Sequence, residues 1–271
     1  MNGAQLQHAL RAGKQVYGTL VTSTSPKWPA VIGNLGMDFV FIDTENVAID
    51  RQQVSWMCRT FAAMNLCPIV RIPAPDPYHA CMMFDAGASG IVAPYVETVE
   101  EVKALRGAAK LAPLKGRRLQ RIINADEQCR PELQKYLDEK NHGKLLIVNI
   151  ESLPALEALD DILSVPQLDA ILIGPHDLSC SLGVPAQYDH PTYLAAVREI
   201  IHKARAAGVA AGIHNTYTLE HSIKWAQEGA NLLIHSGDIM VFSRQLKKEL
   251  DAIKQALEPG ITLQKSKRIE I

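Results

Sequence analysis

Two neighbouring apolar segments of this sequence each run into an acidic residue. Leu145–Ile150 is followed directly by Glu151, and Ala170–Gly174 is followed within three residues by Asp177. Uninterrupted aliphatic runs are typical of strands in a parallel sheet that is covered on both faces. Because parallel α/β folds carry their chemistry at the carboxyl ends of the strands, we expect the two carboxylates at one site. Such a pair suits a hard divalent cation.

The composition excludes several classes of protein. The chain has 271 residues, of which 47% are hydrophobic, so it can bury a core the size of one α/β barrel. A net charge of -1 gives no electrostatic footprint for nucleic acid or for a membrane surface. The five cysteines are dispersed without a C-x-x-C pair, which indicates reduced thiols. The polar, helix-like segment 1–13 lacks an apolar signal core, and no stretch is long enough to span a bilayer, so we predict a soluble cytoplasmic protein.

Strand and helix patterns alternate along nearly the whole chain. This rhythm predicts a (β/α)8 TIM barrel over residues 1–257, followed by a tail at 258–271 that is loosely ordered or used at a subunit contact. The alternative is an open doubly wound sheet, but no G-x-G-x-x-G turn follows the first strand. The predicted strands are Val16–Thr22, Phe39–Asp43, Pro68–Ile72, Gly90–Val96, Lys144–Glu151, Ala170–Gly174, Val209–His214 and Asn231–Ser236.

Helices are predicted between most of these strands. The segment Leu111–Gly143 is long for one connection and contains a basic patch at Lys115–Arg121, predicted as a solvated or interface loop, with a substrate role as the alternative. The last helix has an apolar stripe that either closes its own barrel or packs on a neighbouring subunit. The predicted helices are Asp50–Met64, Thr98–Lys110, a short one near Pro131–Lys140, Thr192–Ala207, Thr218–Gly229 and Asp238–Leu257.

In a barrel, the carboxyl ends of the strands form one rim, and many polar residues of this sequence fall there. So many charged groups at one end of an apolar scaffold are hard to explain by folding alone. His214 and His235 are predicted to be satisfied core or rim histidines, and Glu97 a solvated loop residue. The predicted rim residues are Asp43, Thr44, Glu45, Asn46, Arg71, Glu97, Glu151, Asp177, His214, Asn215, His235 and Asp238.

The principal rim residues also have purely structural interpretations. Glu151 and Asp177 each precede or begin a predicted helix, where an acid is stabilised by the macrodipole or serves as an N-cap. Arg71 is flanked by apolar residues on a buried strand, and an unpaired buried arginine is costly. It is therefore either in a structural ion pair with Asp43 or an anion binder, and we favour the second interpretation.

The segments around these residues show a specific resemblance. They are Phe41-Ile42-Asp43-Thr44-Glu45, Pro68-Ile69-Val70-Arg71, Phe84-Asp85-Ala86-Gly87-Ala88, Pro94-Tyr95-Val96-Glu97, Ile150-Glu151 and Ile173-Gly174-Pro175-His176-Asp177-Leu178-Ser179. From about Tyr17 to Leu250 the chain resembles the HpcH/HpaI family of metal-dependent pyruvate aldolases. The resemblance implies a TIM barrel of the phosphoenolpyruvate/pyruvate type and a carbon–carbon lyase that cleaves or forms aldols of a 2-oxo acid and an aldehyde.

The resemblance also assigns roles. It implies that Glu151 and Asp177 bind Mg²⁺, Mn²⁺ or Co²⁺, on which pyruvate is held as its enolate. Arg71 would stabilise the enolate oxygen, and the N–H groups near His176 and Asp177 would bind the substrate carboxylate. Family members are often hexamers with an exchanged C-terminal helix, in which Asp85 would contribute to a partner's site. The remaining implied site residues are Asp43, Glu45 and Asn46 for catalysis and Asn149, Gly174 and Pro175 for substrate binding.

Position 46 departs from the family pattern. The family usually has Asp-x-Glu-His there, and its histidine moves the proton of the aldol hydroxyl, whereas this chain has Asp43-Thr44-Glu45-Asn46. Asn46 forms hydrogen bonds but takes no proton at neutral pH. Four alternatives follow: slow aldol cleavage, another base (a metal-bound water, Glu45 or a rim histidine), decarboxylation of a 2-oxo-dicarboxylate, or a barrel that only binds. Retention of the buried charges Glu151, Asp177 and Arg71 argues against the last.

Overall fold

The strands form a closed parallel barrel in sequence order, β1 to β8, with β8 paired to β1. The computed structural model describes residues 1–215 and 218–258, and the remaining part of the predicted tail, 259–271, lies outside the described residues. The TIM-barrel prediction is confirmed. The strands are β1 Val16–Leu20, β2 Phe39–Asp43, β3 Cys67–Arg71, β4 Gly90–Ala93, β5 Leu145–Ile150, β6 Ala170–Ile173, β7 Ala210–Asn215 and β8 Leu232–Gly237.

All eight predicted strands are present, and their errors lie at the ends. β4 shows the largest difference, because it ends at Ala93 and not at Val96. Pro94 has no N–H for the ladder, and Tyr95 adopts a left-handed backbone conformation with φ of 47°. These two residues turn the chain away from the sheet at the rim.

Thirteen helices are present in the described residues. The predicted helices are confirmed, but the short ones that follow β1, β3, β5 and β6 were not predicted. The basic patch, predicted as a loop, lies on an exposed helix, α6. The helices are α1 Gly3–Arg11, α2 Trp28–Ile32, α3 Arg51–Ala63, α4 Pro77–Ala86, α5 Val99–Lys110, α6 Gly116–Ile123, α7 Pro131–Lys140, α8 Leu153–Glu157, α9 Leu159–Leu163, α10 Pro175–Ser181, α11 Pro191–Ala206, α12 Leu219–Gln227 and α13 Asp238–Leu257. No described helix is long and apolar enough to cross a membrane.

Strand side chains alternate between the barrel interior and the surrounding helices. Along β5, Leu145 and Ile147 belong to the interior cluster, whereas Leu146, Val148 and Ile150 pack under the helices. The same alternation on β2, β3 and β7 directs later residues inward as the strands reach the carboxyl rim. The barrel interior is therefore apolar at its centre and becomes polar at the carboxyl ends of the strands, where the candidate site lies.

Helix α1 closes the amino end of the barrel. Its residues Leu6 and Leu10 are at most 1% exposed and belong to the interior cluster. Burying two leucines contributes about 3–6 kcal/mol relative to exposing them. The amino end of the barrel is therefore filled by apolar side chains of α1.

Below α1, the carboxylate of Asp169 joins several distant segments. It accepts hydrogen bonds from Gln7 Nε2 at 2.7 Å, Arg11 at 3.2 Å and the backbone N–H of Leu146 at 2.9 Å. Lys110 donates to the same carboxylate at 2.5 Å and is itself buried. The network satisfies both buried charges, so it is a structural feature of the closed end of the barrel.

The last helix does not close its own barrel. None of the side chains of α13 is buried. Its predicted apolar stripe is exposed, with Phe242 at 60% and Leu250 at 45%. Tyr17, on the outer face of β1, is also 52% exposed. Of the two interpretations of the stripe, packing against its own barrel is therefore wrong, and packing on a neighbouring subunit stays a prediction.

Candidate active site

Glu151 is the buried centre of the rim. It follows β5 in the inward-facing series and is 1% exposed. Its Oε1 accepts a hydrogen bond from the Tyr95 N–H at 2.8 Å, and its Oε2 accepts one from Asn149 Nδ2 at 2.7 Å. Burial, and then the nearby charge of Asp177, raise the pKa of Glu151 to about 7, although these two hydrogen bonds and Arg71 oppose the rise. The site therefore concentrates negative charge around a carboxylate that forms no ion pair within the described residues.

Asp177 lies beside Glu151 because β6 and α10 bring it there. It stands in the first turn of α10, which starts at Pro175 directly after the strand. No side chain of the described residues caps this turn, so the first N–H groups of the helix remain available. The structure thus brings together the two carboxylates that the sequence predicted at one site.

Gly174 allows this close approach. A Cβ atom at Gly174 would lie 2.0 Å from Glu151 Oε2 and 3.2 Å from the Glu151 side-chain carbons. The backbone of Gly174 has φ of -92°, which any residue can adopt. Glycine is therefore required here for space and not for conformational freedom.

Tyr95 is a site residue that the sequence reasoning missed. Its left-handed conformation, which costs a non-glycine residue of order 1–3 kcal/mol, aims its N–H at the Glu151 carboxylate. Its ring is 46% exposed at the rim. The sequence marked this position by the turn signal of Pro94 and by the segment Pro94-Tyr95-Val96-Glu97 of the family resemblance, but neither gave the direction of the Tyr95 N–H.

Arg71 and Asp43 form a buried ion pair on adjacent strands. Both follow the inward-facing series, and β2 and β3 are paired so that Asp43 lies opposite Arg71. Arg71 Nε donates to Asp43 Oδ1 at 2.9 Å, a second guanidinium nitrogen donates to Oδ2, and Nη1 lies 2.9 Å from Glu45 Oε2. Burial opposes the charge of Asp43, but the hydrogen bonds and charge of Arg71 lower its pKa. The structure therefore shows the ion pair, which was the less favoured of the two interpretations of Arg71, and anion binding by Arg71 stays a prediction.

The turn after β2 is built on the same aspartate. Asp43 Oδ1 accepts from the Glu45 N–H at 2.9 Å and lies 3.5 Å from the Asn46 nitrogen. Burial raises the pKa of Glu45, with Asp43 and Asp177 acting in the same direction and Arg71 against them. Asn46 is exposed at the edge of the rim. Asp43 therefore positions Arg71 and the turn, while Glu45 is the residue directly before Asn46 in the chain.

Three other predicted rim residues, Glu97, Asp238 and His235, form hydrogen bonds within the protein. Glu97 is not simply solvated, because it accepts a hydrogen bond from Ser152 Oγ at 2.6 Å. Asp238 accepts bonds from Thr22 and the Ser23 N–H at 2.7–3.0 Å and holds the loop after β1. His235 Nδ1 lies 2.8 Å from Ser222 Oγ of α12, so His235 has a hydrogen-bond partner, as the prediction of a satisfied rim histidine requires.

The side chains of three further predicted features are exposed. Asp85 is exposed on α4 and lies close enough to Lys144, at the amino end of β5, to affect its pKa. It is thus at the opposite end of the barrel from Glu151 of its own chain. In the basic patch, Arg118 and Arg121 pair with Glu127 at 3.1 and 2.9 Å. His176 is exposed on α10, with Nε2 3.9 Å from the sulfur of Cys180.

The donor set at the rim fits a hard divalent cation. Glu151 and Asp177 offer carboxylate oxygens, and Asn149 Oδ1 is buried without a hydrogen-bond partner among the described residues. No cluster of three or more His, Cys, Asp or Glu side chains suited to a metal is found in residues 1–215 and 218–258. A cation held by Glu151 and Asp177 would therefore have two carboxylates as protein ligands.

Comparisons with known proteins agree on one family. A sequence model described as HpcH/HpaI aldolase/citrate lyase matches residues 17–237. The hydroxypyruvate/pyruvate aldolase of Agrobacterium fabrum is 28% identical over 239 residues, which cover 88% of this chain and 89% of that protein.

Solved structures extend the comparison. The HpcH/HpaI aldolase of Desulfitobacterium hafniense is 26% identical with a TM-score of 0.81, covering 95% of this chain and 99% of that one. The citrate synthase SbnG is 31% identical with a TM-score of 0.78, covering 93% and 98%. These similarities span the barrel and its rim.

Proposed function

Because this chain belongs to the HpcH/HpaI aldolase/citrate lyase family, we propose that it is a carbon–carbon lyase of the aldolase type. It cleaves or forms the bond between the enolate carbon of a pyruvate-like 2-oxo acid and the carbonyl carbon of an aldehyde. One observation carries the proposal: Glu151 is buried at the carboxyl rim, close enough to Asp177 and Arg71 for the charges of both to act on its pKa.

We propose that Glu151 and Asp177 hold Mg²⁺, Mn²⁺ or Co²⁺. The unpaired, buried Glu151 carboxylate and the orphaned Asn149 Oδ1 support this assignment. When bound, such a cation supplies Lewis-acid stabilisation of the negative charge that develops on the 2-oxo acid. Asn149 and the Tyr95 N–H fix the Glu151 oxygens so that they need not reorganise on binding.

We propose that Arg71 stabilises the enolate oxygen. Asp43 holds two of its nitrogens, which fixes the guanidinium plane, and Nη1 lies 2.9 Å from Glu45 Oε2. The uncapped first turn of α10 offers the N–H groups of His176 and Asp177 to the substrate carboxylate. Gly174 and Pro175 keep this turn close to Glu151.

Asn46 favours a second candidate reaction. Without a base at this position, proton transfer from the aldol hydroxyl falls to another group, of which Glu45 is the nearest acid in the chain. Decarboxylation of a 2-oxo-dicarboxylate forms the same enolate without that proton transfer. Both reactions therefore need Glu151, Asp177 and Arg71, and only aldol chemistry needs the base.

We further propose a cytoplasmic homo-hexamer. The stripe on α13 and Tyr17 on the outer face of β1 are apolar surfaces that stay exposed in the single chain, which supports contact with other subunits. Asp85, at the end of the barrel opposite Glu151, acts at a partner's site in this arrangement. Light scattering at micromolar concentration should give a particle of about six chains, and a monomer would contradict the assembly.

The function is tested by assaying the purified chain on pyruvate with a panel of aldehydes and on oxaloacetate, with and without each cation. Cation-dependent aldol formation is expected, and it should be lost in Glu151→Gln and Asp177→Asn together with Mn²⁺ affinity in calorimetry. Unchanged Mn²⁺ affinity in both variants would refute the assignment of the ligands.

A further inference from the structure

His214 lies in the mouth of the barrel and has none of the roles proposed for Glu151, Asp177 and Arg71. On β7, Ala210 belongs to the interior cluster and Ala211 and Ile213 to the outer one, so His214 is the next inward residue at the rim. Its ring meets the edge of the Phe41 ring at 5.4 Å between centroids. The Arg71 guanidinium lies 5.8 Å from the centroid of the same Phe41 ring, so His214 and Arg71 both pack against Phe41.

The backbone of β8 fixes the tautomer of this imidazole. His214 Nε2 lies 3.4 Å from the carbonyl oxygen of Ser236, and a carbonyl can only accept a hydrogen bond. Nε2 therefore carries the proton and Nδ1 is an acceptor, for which the described residues provide no donor. Ser236 is held in a left-handed conformation with φ of 57°, a costly geometry for a non-glycine residue.

A second polar group beside the histidine is unsatisfied. Ser236 is 1% exposed, and its hydroxyl is buried with no hydrogen-bond partner among the described residues. An orphaned buried hydroxyl costs roughly 1–3 kcal/mol, so its position next to the open mouth points to a ligand that satisfies it.

The charges around His214 keep it neutral. Burial and then the positive charge of Arg71 lower the pKa of His214 to about 4, with His235 acting in the same direction and Asp43 and the Ser236 carbonyl against it. At physiological pH the ring is thus an uncharged acceptor. Such a group binds a hydroxyl, and it offers no attraction to a carboxylate or a phosphate.

We propose that His214 accepts a hydrogen bond from a hydroxyl group next to the bond that is made or broken, so that hydroxylated substrates are preferred over their deoxy analogues. The inference rests on the proposed function, because it concerns the second substrate group at the same rim. The hydroxyl belongs either to the aldehyde or to the 2-oxo acid, and the experiment separates these two sources.

The test compares paired substrates on the Mn²⁺-loaded full chain. In one arm, kcat/KM is measured for glycolaldehyde and acetaldehyde with pyruvate, and in the other for hydroxypyruvate and pyruvate with one aldehyde. In at least one arm, His214→Leu should lower the ratio of hydroxylated to deoxy substrate by about tenfold, the worth of one neutral hydrogen bond. Using a ratio cancels any difference in the active fraction of the variants.

His235→Leu is the matched control, because this histidine lies on the neighbouring strand with its side chain bonded to Ser222 of α12. Its substrate ratios should equal those of the wild type. If His214→Leu does not fold, His214→Met replaces it, since methionine has similar volume and no acceptor nitrogen. Unchanged ratios in both arms, in a folded variant, overturn the proposal.

Two further measurements keep this test separate from that of the proposed function. Exchange of the pyruvate methyl protons in D₂O, measured on the wild type with Mn²⁺, reports enolate formation without any hydroxyl group. If exchange is absent, the proposed function fails. Calorimetric affinities of hydroxypyruvate and pyruvate need no turnover. A hydroxypyruvate-to-pyruvate affinity ratio that falls in His214→Leu supports a hydroxyl on the 2-oxo acid, and equal ratios in the two proteins overturn that source.

Discussion

Gly174→Ala should disable the carboxylate pair without unfolding the barrel. The added Cβ would stand 2.0 Å from Glu151 Oε2, where an ordinary contact is about 3.4 Å, so the oxygen must move by more than about 1 Å. The backbone of Gly174 suits alanine, so the collision is the only new cost.

The magnitude follows from what the moving oxygen loses. It gives up its 2.7 Å hydrogen bond from Asn149, and a bond to a charged group contributes about 1.5–3 kcal/mol. If cation binding loses a similar amount, affinity falls by roughly 10- to 150-fold. A displacement of 1 Å in a positioned group costs about 100-fold in rate, so kcat/KM should fall at least that far.

Mn²⁺ affinity is measured by calorimetry and kcat/KM by pyruvate release, with folding checked by circular dichroism. Gly208→Ala is the control, because Gly208 has φ of +75° and a Cβ atom added there would have no neighbour within 4 Å among the described residues. That variant should lose stability through backbone strain and keep its cation affinity. A folded Gly174→Ala protein with wild-type Mn²⁺ affinity would refute the reasoning that Glu151 is a cation ligand held in place by this glycine.

Three other variants test the rim. Arg71→Lys should lower turnover strongly while leaving cation affinity intact in calorimetry, because an ammonium does not reproduce the guanidinium fork that Asp43 holds. Asn46→His should raise aldol cleavage by roughly 10²–10⁴-fold relative to oxaloacetate decarboxylation in side-by-side kinetics, because it restores a general base. Asp43→Asn should lower stability in urea unfolding at neutral pH. Since the pKa of Asp43 is lowered on folding, its contribution is complete above its ordinary value of 3.8 and is lost as the pH falls below it, so the difference between variant and wild type should shrink in acid.

For each of the three variants, one outcome would contradict the expected result. An Arg71→Lys protein that unfolds at ordinary temperature without a separate kinetic defect makes Arg71 a structural ion-pair residue only. Robust aldol cleavage by the wild type, with Asn46→His neutral or harmful, means that another group already moves the proton. A stability difference for Asp43→Asn that stays constant from neutral pH into strong acid would show that the charge of Asp43 does not support the fold.

The sequence predicts the barrel and most of its rim because both depend on local patterns. Runs such as Leu145–Ile150 are buried on both faces, and only a covered parallel strand accommodates them. The alternation of inward and outward residues then places Asp43 opposite Arg71 once strand pairing is known, so the ion pair was predictable in outline.

The rest depends on contacts between distant segments. The N–H of Tyr95 reaches Glu151 because β4 and β5 are neighbouring strands. This hydrogen bond in turn stabilises the left-handed conformation of Tyr95 after Pro94. Helices such as α8 and α10 have five and seven residues, too few to show a helical period. The direction of α13 is not encoded in its apolar stripe, since the same stripe suits its own barrel or a neighbour.

The Asp169 network has a consequence for synthesis of the chain. Its carboxylate binds Gln7 and Arg11, which are made more than 150 residues earlier. At ribosomal rates of about 5–20 residues per second, the first helix therefore waits roughly 8–30 s for its partner. During that interval the apolar side chains of Leu6 and Leu10 have no barrel interior to enter. These leucines are therefore exposed apolar surface until the later strands, including β7 and β8, complete the interior around them.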